Sequence, residues 1–292
     1  MYFCGMKLIV DSGSTKATWV WLREGMADVA VDTMGINPVR DRAEDIERIV
    51  EGVAATLSSY AAVDVSKLVG VLVDEVYFYG AGCIAPFKEA VEASLRRHFS
   101  DAKVFVETDL LGAARALFGL REGIACILGT GSNSCYYDGK NIVSNVPPLG
   151  WILGDEGSGA VLGKTLVGDL LKGQLGEELK EAFLEHFDLT QADIIDRVYR
   201  QPLPNRFLAS LVPFIVAHRD DEGIHALLVH AFRSFFRRNV AAYGGKNSLV
   251  GFVGGIAGQF ENELREAAED EGFKVGAVIK RPIDEIVAFH RA

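Results

Sequence analysis

The feature that most constrains the fold is a pattern that occurs twice along the chain. Residues 9–15 (IVDSGST) align with residues 127–133 (ILGTGSN), so that apolar, glycine and hydroxyl positions coincide. In both places an apolar, β-prone run precedes the small residues and another follows them, which is typical of a β-hairpin with a tight turn. A repeated supersecondary pattern indicates an internal duplication, so we predict two similar halves.

The remaining segments predict an α/β fold with a mixed sheet and flanking helices in each half. The predicted order in the first half is strands 7–10, 17–22 and 29–33, helix 41–62, strand 76–79, helix 87–99, strand 104–106 and helix 110–118. The second half has strands 124–128 and 135–137, helix 160–171, further helices to residue 243, strand 249–253, helix 260–270, strand 275–279 and helix 283–290. We predict an N-terminal lobe at 1–120 and a C-terminal lobe at 121–292 that carries a helical insertion. The terminal helix is a candidate to pack back on the first lobe.

Length and charge narrow the class of protein. A chain of 292 residues with 49% hydrophobic and 24% charged residues has the size and composition of two globular domains. Its formal net charge of −10 argues against binding to nucleic acids or acidic membranes, because neutralising phosphates requires a basic surface. Any phosphate must be bound locally, by backbone amides, a metal ion or one or two cations.

The cysteines and the N-terminus predict a cytoplasmic protein. Cys4, Cys83, Cys126 and Cys135 show neither CxxC nor Cys/His ligand spacing, so we expect free thiols rather than a zinc or iron–sulfur site. The first apolar run is too short for a signal peptide, and no run reaches the ~18 residues of a membrane span. Met6 is an alternative start to Met1.

The first small-residue turn has the side chains of a phosphate-binding loop. It combines Asp11 with Gly13, Ser14, Thr15 and Lys16. Glycine allows the backbone to approach a polyphosphate, amides and hydroxyls bind phosphate oxygens, and a carboxylate can hold Mg²⁺ through water. An ordinary hairpin turn is the competing interpretation, since small polar residues also favour such turns.

Two more glycine-rich turns follow buried strands. Gly129, Thr130, Gly131 and Ser132 repeat the chemistry of the first turn without its acid, and residues 254–258 (GGIAG) leave room for a base or ribose beside the backbone. No turn matches a P-loop or Rossmann consensus. The occurrence of three such turns in one chain favours nucleotide binding.

Asp109 is the candidate general base. It lies where a predicted strand gives way to a helix at the end of the first lobe. Phosphoryl transfer requires positioning, neutralisation of charge and a base for the attacking hydroxyl. The alternative is a helix N-cap, for which Asp is a preferred residue.

The acidic loop at residues 154–158 (GDEGS) is a candidate sugar site. Carboxylates of Asp155 and Glu156 can accept hydrogen bonds from vicinal hydroxyls, and Trp151 beside them offers an apolar face for a ring. For Glu156 a helix start is a competing interpretation, because acids are favoured in the first turn of a helix.

With these motifs in place, the whole chain resembles the N-acetylglucosamine kinase and BadF/BadG-type ATPase family of the sugar kinase, heat-shock ATPase and actin superfamily. The resemblance lies in residues 11–16 (DSGSTK), 108–109 (TD), 128–133 (LGTGSN), 150–151 (GW), 154–158 (GDEGS) and 253–257 (VGGIA). It implies two ribonuclease H-like domains about an interdomain cleft that holds MgATP and a sugar.

The resemblance also implies roles for individual residues. Asp11, Gly13, Ser14 and Thr15 would form the first phosphate loop, and Gly129 to Ser132 the second. Asp109 would take the proton from the sugar 6-hydroxyl. Residues that resemble the adenosine motif are Gly254, Gly255 and Ala257, and those that match the sugar pocket are Asn37, Asn133, Trp151 and Asp155.

Three functions remain open at this point. An ATP-dependent kinase for an amino sugar, with N-acetylglucosamine as the first candidate, is the leading prediction. An ATPase activator of the BadF type is the alternative, although the dehydratase-activating subgroup uses a paired-cysteine cluster motif that this sequence lacks. A sugar-binding regulator without catalysis is the third. The resemblance makes a homodimer plausible, and the identity of the sugar is not distinguished.

Overall fold

The computed structural model describes residues 6–23, 25–62, 73–244 and 248–291, without the side chains of residues 61 and 62. Cys4 and Met1 lie outside the described residues. The chain divides into two compact units. Unit 1 comprises Met1–Ala116 and Pro282–Ala292, and unit 2 comprises Leu117–Arg281. Residues 117–120, placed in the first lobe by the sequence, therefore belong to unit 2, and the terminal helix belongs to unit 1.

Unit 1 contains a mixed five-stranded sheet in the order β3-β2-β1-β4-β5. The strands are β1 (Lys7–Ser12), β2 (Lys16–Leu22), β3 (Val29–Met34), β4 (Glu75–Gly80) and β5 (Lys103–Thr108). The pairs β3-β2 and β2-β1 are antiparallel, whereas β1-β4 and β4-β5 are parallel. Leu8, Ile9 and Val10 of the central strand are all fully buried, which explains their continuous apolar run.

Within the described part of unit 1, the helices lie between and after the strands. They are α1 (Ala43–Ala62), α2 (Lys88–His98), the terminal helix α13 (Ile283–Arg291) and α3 (Asp109–Phe118), whose last two residues belong to unit 2. Glu44 and Asp45 lie in the first turn of α1, where acidic side chains stabilise the helix dipole. Val50 and Val53 of α1 and Leu95 of α2 belong to the hydrophobic core that includes the strands of the sheet.

Unit 2 repeats the sheet of unit 1. Its strands are β6 (Gly123–Leu128), β7 (Ser132–Tyr137), β8 (Ile142–Val146), β9 (Val250–Val253) and β10 (Val275–Ile279). The order β8-β7-β6-β9-β10 and the strand directions match those of unit 1. The predicted fold of two ribonuclease H-like units is thereby confirmed. The sequence did not predict β8, because this strand lacks the continuous apolar run or alternation that marks a buried strand.

Helices fill the rest of unit 2, as predicted. They are α4 (Gly150–Leu153), α5 (Gly159–Leu171), α6 (Glu177–Phe187), α7 (Gln191–Tyr199), α8 (Pro204–Ala209), α9 (Val212–Ala217), α10 (Glu222–Arg238), α11 (Gly255–Gln259) and α12 (Glu261–Asp270), with a 3-10 turn at Val240–Tyr243. Several begin at local signals: Ser158 caps α5, Thr190 and Asp193 form a capping box on α7, and Pro204 occupies the first turn of α8.

The aromatic face of α10 lies in the core of unit 2. Phe232, Phe235 and Phe236 are fully buried, and on the other side Arg233 and Arg237 pair with Glu271. Among the described residues no helix is both long and apolar enough to cross a lipid bilayer.

The two hairpins of the duplicated pattern differ in register. Ser12 pairs with Ala17 in the first hairpin, whereas Leu128 pairs with Ser132 in the second, so the first turn is one residue longer. Ser12 stays in its strand because its hydroxyl is buried and hydrogen bonded to the backbone of Ile36. The alignment of residues 9–15 with residues 127–133 therefore identifies the repeated motif, but the two strands end at different positions of that alignment.

Candidate functional site

The first turn, between β1 and β2, is held by backbone hydrogen bonds. The Gly13 amide donates to the Lys16 carbonyl at 3.0 Å. Lys16, the predicted phosphate-binding cation, pairs with Asp32 of β3 at 2.8 Å. Both side chains are about half exposed, at 55% and 52%, so solvent screens this pair and a competing anion can displace it.

The connection after β3 packs directly on the first turn. The Gly35 amide donates to the Thr15 carbonyl at 3.0 Å, and a methyl group added at Gly35 would lie 2.0 Å from the Gly13 carbonyl oxygen. No side chain other than hydrogen fits there. Gly35 and Ser12 help to hold the first turn in place, and the sequence analysis assigned neither residue an individual role. The sequence signal was the glycine directly after a strand and two residues before Asn37.

Asn37, predicted to line the sugar pocket, lies beside the first turn. Its side-chain amide donates to the Ser14 hydroxyl at 3.2 Å, and its side-chain carbonyl accepts a hydrogen bond from the Val39 amide at 3.1 Å. The structure therefore brings a predicted sugar residue into contact with a predicted phosphate residue inside unit 1.

Asp11 and Asp109 lie at the same edge of the sheet of unit 1. Asp11 is opposite Tyr79 in the parallel β1-β4 pair, and Tyr79 is opposite Glu107 of β5, two residues before Asp109. The carboxyl ends of parallel strands are the usual place for ligands in α/β proteins. This edge therefore carries two of the predicted catalytic and nucleotide-binding carboxylates.

Asp109 is the first residue of α3 and not its N-cap. The cap is Thr108, whose hydroxyl accepts a hydrogen bond from the Leu111 amide at 3.3 Å. Burial raises the pKa of the Asp109 carboxyl to about 6, although the backbone amides of Leu110 and Asp109 donate to it and oppose the shift. A carboxyl with a pKa close to neutral is suited to accept a proton from a substrate hydroxyl.

The second turn and the acidic loop of unit 2 form one structure. The carbonyls of Gly129 and Thr130 accept hydrogen bonds from the amides of Gly159 and Ala160, at 2.8 and 3.1 Å. A methyl group added at Gly131 would lie 2.9 Å from an Asp155 carboxylate oxygen. The predicted second phosphate loop and the start of α5 are thus brought together, with Asp155 at their junction.

Burial also raises the pKa of Asp155 to about 6. Backbone amides of Ser132 and Gly150 donate to this carboxyl and lower its pKa, while the charge of Glu156 raises it. Asp155 has positive φ (54°), a conformation that side chains adopt infrequently. A partly buried acid in a strained loop is a common feature of functional sites.

The other predicted sugar residues have partners within unit 2. Glu156 pairs with Arg238 at 2.5 Å and accepts a hydrogen bond from Asn239 at 3.2 Å, so its carboxylate is engaged by the protein. The Asn133 side-chain carbonyl accepts from the Ser134 amide at 2.9 Å. Trp151 packs partly against the core of unit 2.

The third glycine-rich turn depends on close backbone packing. Gly254 has φ 118°, and a methyl group added there would lie 2.3 Å from the Leu128 carbonyl oxygen. Gly255 begins α11 and has open space around its Cα, whereas Ala257 is fully buried. Gly255 is therefore the residue of this motif that leaves room for a ligand beside the backbone.

A surface cavity of about 620 Å³ in unit 2 contains none of the predicted site residues. It is lined by Arg219, Asp220, Glu222, His225, Asn262 and Glu263. Arg219 and the buried Glu263 form a bidentate pair there, with a shortest distance of 2.7 Å. Because Arg219 and Glu263 are already paired with each other, we assign this cavity a structural role and keep the strand ends as the candidate site.

Comparisons with known proteins point to sugar kinases. No family model and no curated protein matches the sequence. Among solved structures, the putative N-acetylglucosamine kinase of Porphyromonas gingivalis is 42% identical, with a TM-score of 0.90 over 98% of each chain. The putative N-acetylglucosamine kinase of Chromobacterium violaceum is 17% identical, with a TM-score of 0.73 over 98% of each chain. The ethanolamine utilization protein EutJ of Carboxydothermus hydrogenoformans is 14% identical, with a TM-score of 0.55 over 97% of this chain and 88% of its own. The last two similarities support the fold alone.

Proposed function

Because the chain belongs to the N-acetylglucosamine kinase and BadF/BadG-type ATPase family, we propose that it is an ATP-dependent kinase that phosphorylates an amino sugar. N-acetylglucosamine is the proposed acceptor, at its 6-hydroxyl. The identity of 42% over 98% of both chains supports this substrate class, since that relative is described as a putative N-acetylglucosamine kinase.

The observation that carries the proposal is the environment of the Asp109 carboxyl at the start of α3. Its carboxyl has a pKa of about 6 and is not the cap of α3, so it is available as a base. In the proposed reaction Asp109 accepts the hydroxyl proton while the sugar oxygen bonds to the γ-phosphorus of ATP. The bond from that phosphorus to the bridging oxygen breaks, and ADP leaves.

We assign nucleotide binding to the three glycine-rich turns. Gly13, Ser14, Thr15 and Lys16 of unit 1 would bind phosphate oxygens. The corresponding residues of unit 2 would be Gly129, Thr130, Gly131 and Ser132, with Gly254, Gly255 and Ala257 as the adenosine motif. Gly35 and Gly131 have no side chain beyond hydrogen, so these turns stay compact. This supports binding of phosphate by the backbone N–H groups of the turns.

We propose that Asp11 holds Mg²⁺ through water. Magnesium commonly keeps several waters and binds one or two carboxylates together with substrate phosphates, so a single acid in this turn is sufficient. When bound, the ion would neutralise charge on the phosphates. Among the described residues no group of three or more His, Cys, Asp or Glu side chains could hold a metal by itself.

We assign the sugar to Asn37, Asn133, Trp151 and Asp155, and we give the predicted sugar residue Glu156 a supporting role. Asp155 has the best chemistry for accepting hydrogen bonds from hydroxyls, because its carboxyl is partly buried and lies beside the second turn. Glu156 is engaged by Arg238, so we expect it to act by holding the acidic loop in place.

The test is ADP release from MgATP by the purified protein, with a panel of sugars and amino sugars and a control without sugar. Strong stimulation by N-acetylglucosamine, with formation of the sugar 6-phosphate, would support the proposal. Asp109→Asn should bind ATP and sugar but form sugar phosphate about 10² to 10⁴ times more slowly. The matched control is Asp101→Asn, which changes an exposed acid just before β5. ADP release that is independent of every sugar would instead favour the ATPase activator, and sugar binding without ATP turnover would favour the regulator.

The homodimer implied by the family resemblance remains a prediction. Light scattering coupled to size-exclusion chromatography would test it, since a dimer doubles the chain mass of 31.7 kDa.

A further inference from the structure

The connection between β3 and α1 follows the first turn closely. Besides the Gly35 contacts, the Ser12 hydroxyl accepts a hydrogen bond from the Ile36 amide at 2.9 Å and lies 3.2 Å from the Ile36 carbonyl oxygen. These contacts are largely buried and involve backbone atoms on both sides. The first turn and residues 35–37 are thus expected to move together.

Beyond these backbone contacts, four residues form a closed ring of polar contacts. Asn37 donates from its side chain to the Ser14 hydroxyl at 3.2 Å, and Arg40 donates to the Ser14 carbonyl at 3.2 Å. Arg40 and Asp41 form a bidentate pair, with distances of 2.7 and 3.2 Å. Asp41 closes the ring by accepting the backbone amide of Asn37 at 2.7 Å. Ser14 and Asn37 are therefore connected twice, once directly and once through the Arg40–Asp41 pair.

The Arg40–Asp41 pair is well placed to transmit a displacement. The two side chains are only 30% and 19% exposed, and bidentate arginine–carboxylate geometry is directional as well as strong. One Asp41 oxygen contacts both the Arg40 guanidinium and the Asn37 amide, so it fixes the backbone of Asn37 relative to the guanidinium. Ser14 therefore contacts both the guanidinium of Arg40 and the side-chain amide of Asn37, so a displacement of Ser14 would act on both groups.

We propose that Arg40 and Asp41 are a positioning pair that couples phosphate binding at Ser14 to sugar binding at Asn37. This inference rests on the proposed function, which assigns Ser14 to ATP and Asn37 to the sugar. Occupation of the first turn by phosphate fixes Ser14, and the ring then holds the Asn37 side chain in one orientation. Coupling between two sites is reciprocal, so the sugar tightens nucleotide binding by the same factor.

Calorimetry of the full chain tests the coupling. The Kd of N-acetylglucosamine is measured alone and with saturating AMP-PNP and Mg²⁺, and the Kd of AMP-PNP is measured with and without the sugar. In the unmodified chain we expect each ligand to tighten the other by about fivefold or more. Arg40→Met should bring that factor close to one while changing each Kd for a single ligand by less than about threefold.

Two further variants separate positioning from a structural role. Arg48→Met is the matched control, because Arg48 forms an exposed pair with Asp45 on α1, and it should leave the coupling factor unchanged. Arg40→Lys keeps the charge but loses the bidentate fork, so it should restore only part of the coupling. A merely structural pair would weaken both ligands in Arg40→Met and leave their ratio intact, which would overturn the proposal.

The remaining outcomes distinguish failure of the positioning role from failure of the sugar assignment. If the unmodified chain binds both ligands without mutual effect, or if Arg40→Met retains full coupling, the positioning role is wrong while the kinase assignment stands. If the unmodified chain binds no sugar, or if Asn37→Ala leaves sugar affinity unchanged, the assignment of the sugar to Asn37 fails and the coupling fails with it.

Discussion

His290 of the terminal helix lies with its Nε2 atom 2.8 Å from the phenolic oxygen of Tyr79, a residue 211 positions earlier. Arg115 donates to the same phenolic oxygen, so the tyrosine proton is directed to the histidine. The Nε2 atom of His290 must then be unprotonated, so that the imidazole ring is neutral. Burial lowers its pKa to about 4, and the nearby positive charges of Arg115 and Lys7 act in the same direction.

This contact predicts a loss of stability at acidic pH. The pKa of His290 is about 4 in the fold against 6.5 for an ordinary histidine, so the unfolded chain binds more protons between these values. The stabilising contribution is complete above pH 6.5 and is lost as pH falls towards 4, by about 3 kcal/mol at most. His290→Gln should flatten this dependence, as measured by urea unfolding across that pH range.

An exposed histidine provides the control for that prediction. His230 lies on the exposed side of α10, and His230→Gln should leave the pH dependence unchanged. An equal slope in the unmodified chain and in His290→Gln would show that another group is responsible.

Asp109→Asn should stabilise the protein while it inactivates the kinase. The raised pKa of Asp109 means that ionising this carboxyl above pH 6 costs folding free energy, since the ordinary pKa is 3.8. The neutral amide removes that cost, which we expect to add about 1 to 3 kcal/mol of stability at pH 7.5 and little at pH 4. Loss of a general base should lower kcat by about 10² to 10⁴. Differential scanning calorimetry and the ADP assay measure the two effects, and a less stable Asp109→Asn would contradict the pKa assignment.

The pH profile of kcat/KM should have an acidic limb near pH 6. A base must be ionised to accept the hydroxyl proton, so activity should fall about tenfold per unit below the pKa of Asp109. Asp155 has a similar pKa and is the main competitor for this limb. In Asp155→Asn the limb should persist, with a higher KM for the sugar. Its disappearance would transfer the titrating role to Asp155.

Gly35→Ala should lower the stability of the protein and also distort the first turn, which we assign to ATP. The added methyl group would meet backbone atoms of Gly13, Thr15 and Lys16, the nearest at 2.0 Å, and backbone cannot move aside easily. We expect a loss of about 1 to 3 kcal/mol and a higher KM for ATP.

Gly52→Ala is the matched control for this substitution. Gly52 is exposed in α1 and has open space around it, so alanine should stabilise the helix by up to about 1 kcal/mol. If Gly35→Ala is as stable as Gly52→Ala and has the same KM for ATP, residue 35 does not pack closely on the first turn.

Local patterns were sufficient for most of the fold. The apolar runs of β1, β6 and β9 are continuous because these strands are buried, so their positions were visible in the sequence. The repeat of hairpin and small-residue turn predicted the duplication that the two sheets display. The edge strand β8 was missed because its exposed polar side chains carry no strand periodicity.

The sequence by itself determined which residues have the chemistry of a kinase: the acid and glycines of the first turn, Asp109 after a strand, and the acidic loop near Trp151. Tertiary structure alone decided which of these groups touch. Asn37 meets Ser14, Glu156 meets Arg238, and His290 meets Tyr79 only because strands and helices bring together residues that are 23, 82 and 211 positions apart. Residue types and spacing report local conformation, whereas burial, pKa and hydrogen-bond partners depend on neighbours that the order of the sequence does not specify.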